Sequence, residues 1–443
     1  MNRPWMRWAG AGAAVLLAAA VGWLGPDLWV GADTGAPPSG APDPALAAHG
    51  AYLARIGHCA GCHTAPGGAP YAGGRGVETP FGTVYASNLT PDPETGIGAW
   101  SSEAFWRAMH HGRSRDGRLL YPAFPYTNTT HVGRADSDAI HAWLRSQPPV
   151  RQANRPHALR FPYDNPFALA VWRALYFRPG DGSAPPGRET ETRSTGWQRG
   201  AYLVRGLGHC SACHARRNAL GATGDAGVLD GGLMMAQGWY APSLTNPAEA
   251  GVGGWSREDI VRLLTVGTSP RGSVQGPMAE VVHGSTQYLT PDDAAAMAEF
   301  LASLSPPPAT PAPGPADGSD GAPLTGASAS LRERGSQLYR DHCSDCHGRD
   351  GQGVPGAYPA LAGNRAVVMD PAINLVQVIV HGGFAPSTAG NPRPYGMPPH
   401  GLVFSHADIA AVLTYLRSSW GHRAAPVSPL QVQRWREGSD AVR

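Results

Sequence analysis

Charged side chains are scarce in this sequence, and their signs nearly cancel. Asp, Glu, Lys and Arg together make up 15% of the 443 residues, and the formal net charge is +2. Proteins that bind nucleic acid concentrate positive charge on one surface, and this composition offers no such excess. The sequence also contains no convincing catalytic triad and no clustered acid–base pair. We therefore expect no nucleic-acid partner and no catalytic residues in this chain.

Cysteine is also scarce, and all six cysteines fall in three copies of a C-x-x-C-H pattern. This is the attachment pattern of c-type haem, because two thiols three positions apart can each form a thioether with one porphyrin. The histidine that follows places an imidazole on the iron. The sequence therefore predicts three covalently bound haem c groups, with the histidines as iron ligands. The predicted haem-binding residues are Cys59, Cys62, His63, Cys210, Cys213, His214, Cys343, Cys346 and His347.

Two other kinds of site use a C-x-x-C pair, namely thioredoxin-like redox centres and zinc sites. A thioredoxin motif does not require the adjacent histidine. A zinc site needs ligands in complementary pairs, whereas the unit here recurs at distant points of the sequence. No cysteine is left for a disulfide or for another zinc site. Haem attachment is therefore the prediction.

The first 32 residues have the composition of a targeting segment. Arg3 and Arg7 precede an uncharged run from Trp8 to Leu24 that is mostly Ala, Val, Leu and Gly. A positively charged start followed by an apolar core is typical of a secretory signal. The run is also close to the minimum length of about 17 residues for crossing a bilayer, so an uncleaved anchor is the alternative. Both interpretations export the protein, in agreement with haem attachment outside the cytoplasm.

Helices are predicted on both sides of each haem pattern. A short helix leads into each C-x-x-C-H, and an amphipathic helix closes each copy. Thr290 and Ser405 are predicted N-caps of two closing helices, because an Asp follows each three residues later. We expect the opening and closing helices to pack across one another. The predicted closing helices are Ser137–Arg145, Thr290–Leu304 and Ser405–Arg417.

Methionine is the usual second axial ligand of an electron-carrying haem. Met278, in Gly-Pro-Met, and Met397, in Gly-Met-Pro-Pro, both precede the closing helix of their copy. Flanking Pro and Gly hold such a loop extended, so that it can cross the far side of the haem. Met278 and Met397 are therefore the predicted iron ligands of the second and third sites.

The first copy lacks a methionine in the equivalent loop. That loop runs from Tyr121 to Tyr126 and carries Phe124, whose phenyl ring cannot bind iron. Met109 is the candidate ligand, although it lies in a predicted helix where core packing explains it equally well. His110 or His111 could bind instead, or the site could be open.

Four stretches of the sequence resemble the triheme cytochrome c subunit of bacterial membrane-bound dehydrogenases of the alcohol, gluconate and aldehyde type. The likeness extends from about residue 44 to residue 428. The family often carries Met where this chain has Phe124, so the first site departs from the family pattern. The stretches that carry the resemblance are 82–100, 120–126, 199–221 and 397–420.

The resemblance implies an electron-transfer subunit rather than an enzyme. Such a subunit accepts electrons from a catalytic dehydrogenase subunit, which is a quinoprotein, flavoprotein or molybdoprotein, and passes them from haem to haem. The acceptor would be ubiquinone or a terminal oxidase, at the periplasmic face of the inner membrane. Two alternatives are a haem enzyme that uses an open first haem and a free periplasmic electron shuttle.

The expected fold is mainly α, with three consecutive cytochrome c-like domains after the signal or anchor segment. A length of 443 residues agrees with about three domains of roughly 150 residues. The connector contains a short apolar helix with Trp172, and the tail has no core pattern and is expected on the surface. The predicted boundaries are 1–32 signal or anchor, 44–148 first domain, 149–194 connector, 195–304 second domain, 305–328 Pro/Ala/Gly-rich linker, 329–421 third domain and 422–443 tail.

Overall fold

Helices dominate the computed structural model, so the prediction of a mainly α protein is confirmed. Residues 1–30 of the predicted signal or anchor and residues 305–325 of the predicted linker lie outside the described residues. Within the described part of the chain, every helix is too short or too polar to cross a bilayer. The structure describes residues 31–180, 192–247, 249, 251–304 and 326–440.

The helices follow the order that the sequence predicts, with one opening and one closing helix around each motif. Two 3₁₀ turns, Val252–Gly254 and Thr286–Tyr288, accompany them. The α-helices are α1 Pro44–Ile56, α2 Cys59–His63, α3 Ser102–His111, α4 Tyr126–Thr129, α5 Arg134–Arg145, α6 Pro166–Tyr176, α7 Thr195–Arg205, α8 Ser211–His214, α9 Arg257–Val266, α10 Pro277–Gly284, α11 Pro291–Ser303, α12 Ala327–His342, α13 Ser344–His347, α14 Arg365–Val368, α15 Ile373–His381, α16 His406–Arg417 and α17 Pro429–Asp440.

The strands are two to four residues long and all pair antiparallel, too short to leave an alternating pattern in the sequence. One sheet has three strands in the order β1-β2-β3, with Gly76 opposite Tyr85 and Gly82 opposite Leu159. Among the residues that the structure describes, three two-stranded ribbons pair β4 with β5, β6 with β7 and β8 with β9. The strands are β1 Gly76–Thr79, β2 Gly82–Tyr85, β3 Ala158–Leu159, β4 Gly232–Met234, β5 Trp239–Ala241, β6 Thr268–Ser269, β7 Gly272–Ser273, β8 Gly383–Phe384 and β9 Gly396–Met397.

The described chain divides into two compact units. The first contains residues 31–54, 62–180 and 218–222, and the second contains the remaining residues, including the short segment Arg55–Gly61. We call residues 44–148, 195–304 and 329–421 the first, second and third motif regions. The second and third regions fall in the same unit, and their division into separate domains stays a prediction.

A close crossing of the opening and closing helices organises the second motif region. Gly200 of α7 lies against the backbone carbonyl of Ala296 of α11, where any Cβ on residue 200 would overlap that oxygen. The neighbouring Arg199 donates to both carboxylate oxygens of Asp293, at 2.8 and 2.9 Å. Glycine thus permits the close backbone approach, and the bidentate ion pair fixes its register.

The same crossing recurs around the other two motifs. In the third region, Gly335 of α12 lies against the carbonyl of Ala411, and Arg334 pairs with Asp408. In the first unit, Gly50 of α1 lies against the carbonyl of Ala139, and His49 bonds to Asp136 at 3.1 Å. A basic residue followed by glycine in the opening helix therefore meets an Asp and, three residues later, an Ala in the closing helix.

The predicted caps of two closing helices are confirmed. The Thr290 hydroxyl accepts from the backbone N–H of Asp293, and the Ser405 hydroxyl accepts from that of Asp408. At Ser405 the capping box is complete, because the Asp408 carboxylate also accepts from the Ser405 N–H at 3.0 Å. The first closing helix begins at Arg134 instead of Ser137, after an N-cap of Gly133.

The connector and the tail both fold as helices. The predicted apolar helix of the connector is confirmed as α6, and the Trp172 indole N–H donates to the carbonyl of Leu220 at 2.9 Å. The expectation of a surface tail was wrong, because Val427 and Val432 are buried in the hydrophobic core of the third region. Two buried apolar residues spaced five positions apart do not form the periodic pattern from which a buried helix can be predicted.

The Asp408 carboxylate makes the stability of the third region depend on pH. Burial would raise the pKa of Asp408, but the bonds from Ser405 and the Arg334 guanidinium outweigh it and lower the pKa below its usual value. A lowered native pKa stabilises the fold above the unfolded pKa of about 4, and this contribution is lost as the pH falls through the native pKa. We therefore expect Asp408→Asn to cost about 1–2 kcal/mol near neutral pH.

Thermal unfolding of wild type and Asp408→Asn between pH 7 and pH 3 checks this expectation. The stability difference should shrink as the pH falls below about 4. Glu333→Gln, which removes an exposed carboxyl from the opening helix of the same region, is the matched control for the loss of a carboxylate. A stability difference that stays constant down to pH 3 would contradict the role given to the Asp408 charge.

Candidate haem sites

Each C-x-x-C-H pattern folds as one helical turn that follows its opening helix. These turns are α2, α8 and α13, and in the last two the first cysteine is the N-cap residue. Residues three and four positions apart lie on the same face of a helix. The two thiols and the imidazole of each motif therefore face the same side.

The six cysteines are all reduced in the structure. Burial raises the pKa of the Cys210 thiol to about 12, with the neighbouring Cys213 adding to the effect. Burial likewise raises the pKa of Cys343 to about 11, together with Cys346. None of the six thiols is used in a disulfide, so all are available for thioether bonds.

The three motif histidines share one hydrogen bond that orients the ring. The Nδ1–H groups of His63, His214 and His347 donate to backbone carbonyls at 2.7, 2.7 and 3.0 Å. A carbonyl can only accept, so the proton is on Nδ1 and the lone pair is on Nε2. Histidines that bind metal are held in this way by their second ring nitrogen. The accepting carbonyls belong to Ser87, Pro242 and Pro359.

Burial also favours the neutral form of these three imidazoles. It lowers the pKa of His63, His214 and His347 below the ordinary value, and the bond to the carbonyl opposes this only in part. A neutral imidazole is the form that binds a metal ion. Tautomer, orientation and charge therefore agree with axial ligation through Nε2.

The loops that supply the first two carbonyls explain a repeat in the sequence. Asn88-Leu89-Thr90 directly follows Ser87, and Ser243-Leu244-Thr245 directly follows Pro242. The backbone N–H of Leu89 donates to Tyr71 at 2.8 Å, and that of Leu244 donates to Leu229 at 2.9 Å. The repeat therefore anchors the loop that presents a carbonyl to the motif histidine.

The two predicted methionine ligands lie in the segments that precede the closing helices. Met278 is half-buried in the first turn of α10, directly after Pro277 at the helix start. Met397 is half-buried in β9, opposite Gly383, and packs against the hydrophobic core of the third region. Their roles as iron ligands stay predictions.

The first region places its candidate side chains on α3. Met109 is 8% exposed, and its backbone carbonyl accepts from the Thr129 hydroxyl at 2.5 Å. His110 stacks on Trp106 and bonds through Nε2 to the carbonyl of Gly180 at 2.7 Å. Burial lowers the pKa of His111 to about 4, with the neighbouring His110 adding to the effect. One ring nitrogen of His110 is therefore already used in a hydrogen bond. The role of Met109 as an iron ligand of the first site stays a prediction.

The sequence analysis missed two groups of residues, the histidines that precede the motifs and the backbone acceptors of the motif histidines. A histidine stands directly before the first cysteine of every copy, and its recurrence could have been noticed in the sequence. The carbonyls of Ser87, Pro242 and Pro359 were also missed, since a backbone acceptor leaves no signal in residue type. The histidines are His58, His209 and His342.

These features fit haem c at each of the three motifs. The reduced thiols and the imidazole share one face, and each imidazole directs its lone pair away from a backbone acceptor. The cytochrome c family model matches residues 198–305 and 332–420. The chain therefore contains c-type cytochrome domains, and covalent haem c is their cofactor.

Comparison with known proteins narrows the class further. The chain is 39% identical over 391 residues to the cytochrome c subunit of the quinone alcohol dehydrogenase of Gluconacetobacter polyoxogenes, covering 86% of this chain and 82% of that relative. It is 34% identical over 388 residues to the gluconate 2-dehydrogenase cytochrome c subunit of Pantoea cypripedii, covering 86% and 87%. The chain belongs to the family of dehydrogenase cytochrome c subunits, and the resemblance seen in the sequence is confirmed.

A further relative is a subunit of a dehydrogenase that is named for another substrate. A nicotinate dehydrogenase subunit of Pseudomonas putida is 40% identical over 390 residues, which cover 87% of this chain and 31% of that relative. The similarity therefore extends to subunits of dehydrogenases with different substrates. The role of this chain is electron transfer, and substrate oxidation belongs to other subunits.

Proposed function

We propose that this protein carries three haem c groups and passes electrons from a catalytic dehydrogenase subunit to a membrane acceptor. The observation that carries the proposal is the hydrogen bond from Nδ1 of His63, His214 and His347 to a backbone carbonyl. The same arrangement at all three motifs supports a haem at each. Six thioethers would hold the three groups, through Cys59, Cys62, Cys210, Cys213, Cys343 and Cys346.

Bound haem supplies a reversible one-electron change at its iron. The chain's own residues hold and tune each site. The carbonyls of Ser87, Pro242 and Pro359 keep Nε2 unprotonated, and the buried helix crossings keep the opening helix and its motif in place. The imidazoles need not lose or gain a proton when the bound haem is oxidised or reduced. The hydrogen bonds around each site can therefore stay unchanged during electron transfer.

The proposal of a haem at the first motif rests on its likeness to the other two regions, because the family model matches only residues 198–305 and 332–420. Its support is the crossing at Gly50 and the His63–Ser87 bond, which repeat the geometry of the other two regions. The first, second and third motif regions would then be three cytochrome c domains with the predicted boundaries.

The relatives support a dehydrogenase partner for this chain. Their names describe cytochrome c subunits of alcohol and gluconate dehydrogenases and a subunit of a nicotinate dehydrogenase. We expect the catalytic partner to be a quinoprotein, flavoprotein or molybdoprotein and the acceptor to be ubiquinone or a terminal oxidase, as the resemblance in the sequence implies. The N-terminal segment would export the chain to the periplasmic face of the inner membrane.

The number of haems tests the central proposal. A pyridine haemochrome assay of the purified protein should give three haems per chain. The double substitution Cys59→Ala with Cys62→Ala should reduce the count to two, because the first motif then has no thiol for the porphyrin. A count of two haems in wild type that the substitution leaves unchanged would show that the first motif binds no haem.

The sixth ligands can be tested by replacing methionine with leucine, a swap of similar volume that usually costs less than about 1.5 kcal/mol. Met278→Leu and Met397→Leu should each remove part of the sulfur–iron charge-transfer band in the oxidised spectrum. Met109→Leu should do the same if Met109 binds the first iron. A first iron that binds carbon monoxide in wild type would instead be open and would favour the haem-enzyme alternative.

Two buried methionines provide matched controls for these substitutions. Met297 lies in α11 and Met369 follows α14, and both are buried in the cores of their regions. Met297→Leu and Met369→Leu should leave the charge-transfer band intact. Loss of the band in the controls would show that packing, not ligation, governs it.

The dehydrogenase partner can be tested in the native membrane. A tagged form of the full chain should co-purify with a catalytic dehydrogenase subunit, and the substrate of that subunit should reduce all three haems. Reduction should stop when the catalytic subunit is removed by high salt or detergent. Purification as a lone soluble monomer, with no substrate-dependent reduction, would favour the free-shuttle alternative.

A further inference from the structure

The loop that presents the Pro242 carbonyl to His214 is held by a single carboxylate. Glu249 lies half-buried just beyond that loop. Its Oε2 atom accepts from the Tyr240 hydroxyl at 2.9 Å and from the backbone N–H of Ser243 at 2.8 Å. Tyr240 precedes Pro242 by two positions, and Ser243 follows it directly. One oxygen atom therefore holds the segment on both sides of the carbonyl that orients the motif histidine.

The turn that carries Glu249 also fixes its carboxylate. The other carboxylate oxygen, Oε1, accepts from the side-chain amide of Asn246 at 3.3 Å. The backbone N–H groups of Glu249 and Gly251 both donate to the carbonyl of Asn246, at 3.0 and 2.9 Å. Hydrogen bonds to a charged carboxylate are stronger than those between neutral groups. The position of Oε2 is thus set by the local turn and not by the loop that it holds.

The same network reaches the backbone of His214. The N–H of Gly231 donates to the His214 carbonyl at 2.7 Å. Gly231 also lies so close to the Tyr240 hydroxyl and the Ser243 nitrogen that a Cβ on residue 231 would overlap both. The ring and the backbone of His214 are therefore both bonded to segments that meet at Glu249.

The first motif region uses the same contact with a neutral acceptor. Asn88 stands at the position of the repeat that Ser243 occupies in the second region, directly after the residue whose carbonyl meets the motif histidine. Its backbone N–H donates to Oδ1 of Asn154 at 2.7 Å. An amide carries no net charge, whereas a carboxylate is ionised at neutral pH. The second site therefore has a negative charge where the first has none.

The surroundings keep Tyr240 a donor to this charge. Burial raises the pKa of Tyr240 to about 12, and the hydrogen bond and charge of Glu249 add to the effect. Arg216 and Asp230 also act on Tyr240, in opposite directions, and pair with each other at 3.4 Å. Their charges offset one another, so the Glu249 carboxylate leaves a net negative charge beside the loop.

We propose that Glu249 is a positioning residue of the second haem site, which holds the Pro242 carbonyl against His214 and keeps a negative charge beside it. The inference rests on the proposed function. A firmly held acceptor at Nδ1 makes the imidazole a stronger donor to a metal ion. A nearby negative charge favours the oxidised iron, which carries one more positive charge than the reduced iron. Both effects lower the reduction potential of the second haem.

Three substitutions separate the charge of Glu249 from its hydrogen bonds. Glu249→Gln keeps an oxygen acceptor but removes the charge, and Glu249→Ala removes both. Tyr240→Phe removes one donor and leaves the charge in place. Glu258→Gln is the matched control, since Glu258 is an exposed carboxyl in the first turn of α9 of the same region. None of these residues is a predicted haem-binding residue or iron ligand.

The readouts are the midpoint potential of the second haem and the solvent exchange of the His214 Nδ1–H, measured by NMR on the reduced full chain. The second haem is the component that disappears from the redox titration of the Cys210→Ala, Cys213→Ala protein. Glu249→Gln should raise its potential with little change in exchange. Glu249→Ala should raise the potential further and speed the exchange. Tyr240→Phe should speed the exchange with a smaller rise in potential, and Glu258→Gln should match wild type.

The outcomes separate this inference from the proposed function. A wild-type potential and exchange rate in both Glu249 variants overturns the role of Glu249. An equal rise at all three haems also overturns it, because the charge would then act at long range and not through the loop. If Glu249→Ala fails to keep the second haem, Glu249→Gln and Tyr240→Phe decide. Fewer than three haems in wild type, or an unchanged count without the thiols of Cys210 and Cys213, overturns the proposed function instead.

Discussion

The close approach of two helix backbones is the constraint on which the haem sites depend. Gly50, Gly200 and Gly335 each lie against the carbonyl of an alanine in the closing helix, at a distance that excludes any side chain. The helix crossing fixes where the opening helix ends, and the C-x-x-C-H turn follows directly from that end. A displaced crossing would move both thiols and the imidazole together.

The loops after the motifs orient the motif histidines that the helix crossings position. Each motif histidine finds a carbonyl acceptor in a loop that is itself tied down by backbone hydrogen bonds, as Leu89 to Tyr71 and Leu244 to Leu229 illustrate. The imidazole is thereby fixed in tautomer and orientation before any ligand is considered. This arrangement limits reorganisation around the iron, which is what an electron-transfer site requires.

The three regions differ most at the predicted second axial ligand and at their boundaries. The second and third regions carry a methionine before the closing helix, and the first carries Phe124 in the corresponding loop. The segment before Cys59 packs with the second region instead of the first unit. The first site is therefore the one whose candidate ligand and neighbouring segments depart most from the other two.

The third region also uses the chain beyond its closing helix. Arg417 is 1% exposed at its side chain and donates to the carbonyls of Val367, Met369 and Ala425 and to the Asp370 carboxylate. A buried guanidinium with several acceptors is costly to lose, because each acceptor is then left unpaired. The tail that follows thus becomes part of the core and not a loose end.

The sequence by itself determined the elements whose signals are local. The three C-x-x-C-H motifs, the opening and closing helices, and the caps at Thr290 and Ser405 all follow from short spacings and periodicity. Tertiary structure alone decided the carbonyl that meets His63, 24 positions away, and the bond from Ser285 to Ile56, 229 positions away. Backbone acceptors and contacts between distant segments leave no mark in residue type or period, so only the packing of the folded chain could select them.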